Sequence, residues 1–135
     1  MLMAHVSKRK IKDTILRELF EQMAKVIARS GKRNSTAFLN EFLTDTEQIM
    51  HAKRLAVIVM LHEGYSTYRI LNELGMSAST VTTMKGRFLD GQYETITRVY
   101  GRNKKQREEL WQLIELISRA GLPSMGKKRW QNLKL

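Results

Sequence analysis

The stretch Ser66-Thr67-Tyr68-Arg69-Ile70-Leu71-Asn72-Glu73-Leu74-Gly75-Met76-Ser77-Ala78-Ser79-Thr80-Val81-Thr82-Thr83-Met84 reads as two short helices joined by a tight turn. Ser66 is placed to cap the first helix and Ser77 the second, because a hydroxyl oxygen just before a helix accepts from a backbone N–H that otherwise has no partner. Gly75 sits where the chain must reverse and a positive φ is needed. Ile70, Leu71, Leu74, Met76, Val81 and Met84 are spaced to meet in the angle between the two helices, which makes them packing residues. With Val81 turned inward, an advance of 100° per residue puts Ser79, Thr82, Thr83, Gly86 and Arg87 on the outward face.

Outward from this stretch the chain continues to read as helix. From Lys12 to Arg29 the apolar residues Ile15, Leu16, Leu19, Phe20, Met23, Val26 and Ile27 recur at spacings of three and four, the stripe of an amphipathic helix. Gly31 is expected to end it, and Asn34 or Ser35 to cap a short helix over about Thr36–Phe42. Thr44-Asp45-Thr46-Glu47 has the form of a capping box, so a third helix is expected from Asp45 to about Glu63. Ile49, Leu55, Ile58, Val59 and Leu61 give it an apolar surface wide enough for a central, buried position, and Gly64 ends it. Between Leu89 and Asn103 the pattern is ambiguous: Tyr93, Thr95, Thr97 and Val99 alternate like a strand, whereas Ile96, Val99 and Tyr100 fit a helical turn. Lys104–Ala120 reads as a helix again, with Leu110, Trp111, Leu113, Ile114 and Ile117 on one side, Gly121 and Pro123 closing it, and a basic tail beyond.

The expectation is an all-α fold in three segments: a basic arm and dimerisation helix over residues 1–34, a core over 35–90, and a C-terminal helix with basic tail over 91–135. With 135 residues the chain suits one domain of ordinary size. There is no cysteine, which excludes disulfides and thiolate chemistry and fits a reducing compartment; a cytoplasmic location is expected. The longest apolar run, Leu55–Leu61, falls far short of the roughly 20 residues of a membrane span, and the N-terminus lacks the apolar core of a signal peptide.

Lys and Arg number 24 against 13 Asp and Glu, a net charge of +11 that favours a polyanionic partner, with nucleic acid first. The charge is uneven. Residues 1–34 carry nine basic and three acidic groups and residues 91–135 ten and four, while residues 35–90 carry five and six. If the central pair of helices docks in a major groove, Ser79, Thr82, Thr83 and Arg87 are the candidates for base readout, and short hydroxyl side chains discriminate less than bidentate Arg or Asn. Ser66, Thr67, Tyr68, Arg69 and Lys85 then lie near the groove walls and contact the backbone, joined by Lys127, Lys128 and Arg129 of the tail. Lys8, Arg9 and Lys10, like Lys127, Lys128 and Arg129, are either phosphate contacts or solubilising ends. Trp130 stacks on nucleic acid or packs on a partner subunit.

These residues resemble the Trp-repressor superfamily. Its Leu-Thr before the third helix, its arginine in the central helix, its Asn-Glu-Leu-Gly and its Thr-hydrophobic-Thr correspond here to Leu43-Thr44, Arg54, Asn72-Glu73-Leu74-Gly75 and Thr80-Val81-Thr82. The resemblance covers about residues 36–90. It implies an intertwined homodimer built through the N-terminal helices, a helix-turn-helix in each copy, and binding of double-stranded DNA at a two-fold site. Arg54 matches one of two ligand-contacting arginines of the tryptophan-responsive members. The second is replaced by Thr83, which argues against tryptophan as corepressor.

His5, His51 and His62 are dispersed and lack the companions of a metal site, and no catalytic constellation or phosphate loop is present, so neither cofactor nor enzymatic activity is expected. The expected function is a dimeric, sequence-preferring DNA-binding regulator of transcription. An architectural or replication-associated DNA-binding protein with little sequence specificity, and a protein-interaction module, remain as alternatives.

Overall fold

A computed structural model describes residues 11–120. His5, Lys8, Arg9, Lys10, Lys127, Lys128, Arg129 and Trp130 therefore lie outside the described residues. Within them the chain is all-helical, with six helices and no strand: α1 (Asp13–Phe42), α2 (Asp45–His62), α3 (Thr67–Leu74), α4 (Ala78–Leu89), α5 (Glu94–Arg102) and α6 (Lys104–Ala120). Among the described residues no helix is long and apolar enough to cross a membrane. The chain divides into two compact units between Gln48 and Ile49.

In the first unit, α1 is interrupted only at Gly31, whose φ of 64° and ψ of −175° are non-helical. The expected break at Gly31 is present, as a kink where two helical stretches meet and where only glycine takes a positive φ without strain. Helical geometry resumes at Lys32, not at Thr36. The Ser35 hydroxyl accordingly donates back to the Lys32 carbonyl (3.5 Å) and does not cap a new helix, while Ser30 donates to the Ile27 carbonyl (2.6 Å). None of the α1 side chains is buried. The capping box at the start of α2 forms as its spacing requires, with the Thr44 N–H donating to Glu47 Oε1 (2.9 Å) and the Glu47 N–H to Thr44 Oγ1 (3.2 Å).

The core lies in the second unit. Six consecutive residues of α2, Ala56 to Leu61, are buried, so this part of the helix is covered on every side. Leu55 departs from expectation and is 40% exposed. Gly64 (φ 90°) ends the helix: its N–H donates to Leu61 O and the Tyr65 N–H to Met60 O, which satisfies carbonyls the helix leaves open. Against α2 are gathered Ile70 and Leu74 of α3, Val81 and Met84 of α4, Tyr93 before α5, Tyr100 of α5, and Ile114 and Ile117 of α6, with Leu71 and Met76 packed partly buried at the edge. The segment between Leu89 and Asn103 takes its helical alternative. Tyr93 and Tyr100, seven residues apart, are its buried side chains, whereas Val99 is exposed, so the strand-like alternation has no sheet to serve. Asn103 Oδ1 accepts from the Gln106 N–H (3.0 Å) and starts α6.

Candidate nucleic-acid interface

The α3–α4 pair is built from local signals. Ser66 Oγ accepts from the Arg69 N–H (3.2 Å) at the head of α3, and Ser77 Oγ from the Thr80 N–H (3.3 Å) at the head of α4. Between them Gly75 takes the left-handed conformation (φ 62°, ψ 45°), and both its own N–H and that of Met76 donate to the Leu71 carbonyl. Ile70, Leu74, Val81 and Met84 are buried at the junction, which locks the rotation of each helix about its axis.

That rotation decides what α4 presents. Ser79, Thr80, Thr82, Thr83 and Arg87 are exposed, and Lys85 is half-buried. Ser77 donates to Thr80 Oγ1 (2.8 Å) and lies 3.4 Å from Ser79 Oγ, so the hydroxyls at the head of α4 form a connected group. On α3, Ser66, Tyr68 and Arg69 are exposed and Thr67 is half-buried. Tyr68, at 73%, has almost no packing of its own.

Arg69 is the most constrained of the candidate cations. Its Nε donates to Glu73 Oε1 (2.8 Å), and its guanidinium carbon sits 4.2 Å from the centre of the Tyr65 ring. The bond to Glu73 pushes its pKa further up, so it is a fixed positive charge. Tyr65 carries no signal in the sequence, and Glu73 is marked there only as part of Asn72-Glu73-Leu74-Gly75; the Arg69–Glu73 spacing of four is the signal for this pair.

Arg54 lines two cavities under this pair. One, of about 250 Å³, is bounded by Met50, Lys53, Arg54, Gly75, Met76, Ser77, Thr80 and Met84. The other, of about 240 Å³, is bounded by Arg54, Ser79, Thr80, Thr83, Met84 and Arg87. Arg54 and Arg87 thus share a wall with three hydroxyls, a donor set suited to an anionic group. Lys53, 7% exposed, is the buried charge that sequence periodicity did not flag. No family model, curated protein or solved structure matches this chain.

A third cavity, of about 390 Å³, lies away from α4 and is lined by Glu63, Tyr100, Arg107, Glu108, Trp111, Gln112 and Glu115. The Tyr100 hydroxyl donates to Glu63 Oε1 (3.4 Å). Burial first, and then the Glu63 charge and this bond, push the Tyr100 pKa up. His62 meets the Tyr100 ring at right angles with centroids 6.2 Å apart. Among the described residues no group of three or more His, Asp or Glu side chains is arranged to hold a metal ion.

Proposed function

We propose that the chain is a dimeric double-stranded-DNA-binding protein with sequence preference, acting as a regulator of transcription through a helix-turn-helix formed by α3 and α4. The observation that carries this reading is the division of α4: Val81 and Met84 are buried while Ser79, Thr82, Thr83 and Arg87 are exposed on the helix that follows the tight turn. In a helix-turn-helix the second helix enters the major groove and the first crosses the backbone. Ser79, Thr82, Thr83 and Arg87 are then the base-reading side chains, and Ser66, Thr67, Tyr68, Arg69 and Lys85 contact phosphates, with Lys127, Lys128 and Arg129 as further phosphate contacts of the tail.

The dimer is supported by α1, where Ile15, Leu16, Leu19, Phe20 and Val26 are each at least half exposed. A stripe of that size on one helix marks a surface that a partner covers, and a second copy of a two-fold DNA-binding protein supplies the same stripe. The proposed architecture is Trp-repressor-like, on the strength of the motifs Leu43-Thr44, Asn72-Glu73-Leu74-Gly75 and Thr80-Val81-Thr82. Thr83 stands where the tryptophan-responsive members have an arginine, so we assign no role to tryptophan.

Selection of preferred duplexes from a random pool tests this function. A two-fold preferred site is expected, and Thr82→Ala or Thr83→Ala is expected to change the preference by about 1 kcal/mol or more at individual base pairs. Equal weakening on every duplex would remove the base-reading role of α4. Recovery of no preferred site would favour the architectural reading, for which the predominance of hydroxyls over bidentate readers on α4 speaks.

A further inference from the structure

The last helix, α6, lies wholly beyond residues 36–90 and packs on α3. Two of its side chains lead to the same guanidinium. Ser118 Oγ donates to Glu73 Oε1 at 2.8 Å, the oxygen that also accepts from Arg69 Nε at 2.8 Å. Trp111 meets Tyr65 at 85° with ring centroids 5.4 Å apart, and Tyr65 in turn carries the Arg69 guanidinium 4.2 Å from its centre. Trp111 is itself fixed by donation from Nε1 to Glu115 Oε1 at 3.1 Å.

The two supports differ in kind. Glu73 is only 17% exposed, and its Oε2 is buried with no hydrogen-bond partner among the described residues. Withdrawing Arg69 would leave a largely buried carboxylate with the Ser118 bond alone, which is costly, so Arg69 stays on Glu73. Tyr65 restrains the plane of the guanidinium by stacking. With Nε donating to Glu73 and the side chain 54% exposed, the Nη nitrogens are the donors that remain for a further partner. An arginine held this way loses little further rotamer freedom when it takes up a phosphate oxygen.

We propose that α6 is a positioning element for Arg69: Ser118 acting through Glu73, and Trp111 acting through Tyr65, hold the guanidinium where its Nη groups meet a DNA phosphate. The proposal rests on the DNA-binding reading above and adds to it the residues that preorganise one contact.

The test is a set of titrations of the full chain with one selected duplex over a range of salt concentrations. Arg69→Ala is expected to lower the slope of log K against log salt by about 0.9 for each chain bound. Ser118→Ala and Trp111→Phe are each expected to weaken binding roughly 2- to 12-fold, and to have no further effect once Arg69 is alanine. Ser118→Thr, which keeps the hydroxyl, restores binding. The Arg69 Nε–H resonance is expected to be sharp in the native chain, to broaden in Ser118→Ala and to sharpen again in Ser118→Thr. Undiminished effects of Ser118→Ala and Trp111→Phe in the Arg69→Ala background would overturn the positioning role while leaving DNA binding intact. No change of slope in Arg69→Ala would instead remove Arg69 from the DNA contact, and the proposal with it.

Discussion

Helices α1 and α2 are both long and both rich in apolar residues, yet they spend them differently. Across 30 residues α1 buries no side chain, while α2 buries seven of its 18. In α1 the apolar residues form a stripe at helical spacing, and apart from the stacked pair Phe38 and Phe42 and the half-buried Met23 and Ile27 most of it is exposed. In α2 they run consecutively, and a helix apolar on all sides is stable only when surrounded. Hydrophobic content alone does not say where a core lies: α2 buries its apolar residues within the second unit, whereas those of α1 are exposed, as the proposed association between copies requires.

Ile58, 2% exposed, packs inside one chain. Ile58→Ala is expected to cost about 2–5 kcal/mol, read by denaturant unfolding, with the loss independent of protein concentration. Phe20, 64% exposed, is the counterpart in α1. Phe20→Ala should cost about 1.5–3 kcal/mol per copy, and only in association, so the melting temperature of the native chain should rise with concentration and that of the variant should not. An equal response of both variants to concentration would erase the distinction between the two helices.

The turn signals were the most legible part of the chain. Ser66, Gly75, Ser77 and the Thr44–Glu47 box act within a few residues, so their spacing is enough to place them, and each makes its expected contact. Long-range relations were not legible. Nothing in the spacing of Tyr65, Glu73, Trp111 and Ser118 says that they converge on Arg69, because convergence depends on how α6 lies on α3. The run from Tyr93 to Val99 is ambiguous in the sequence for a related reason: alternation of β-branched and aromatic residues implies a strand only where a partner strand exists, and the helical alternative is the one adopted. At Leu55 the apolar surface of α2 was wider than the core that receives it.

Ser77→Ala removes the oxygen that caps α4 and should cost about 1 kcal/mol in stability, with a matching loss of hydrogen-exchange protection at the Thr80 N–H. For Tyr100, burial raises the folded-state pKa above the unfolded value, so its contribution is fully present below pH of about 10, the unfolded pKa, and is lost as pH rises from there through the folded value. Melting curves of Tyr100→Phe should lack that alkaline decline, whereas the native chain should show it.

The most direct measurement is the stoichiometry and footprint of the complex with a selected duplex, by native mass spectrometry and hydroxyl-radical protection. The account predicts two chains per duplex and two protected half-sites about 34–36 Å apart, one turn of the double helix, because each copy contributes one α4 and the α1 surfaces join the copies. A single chain bound to one continuous patch, or protection without half-sites, would contradict it.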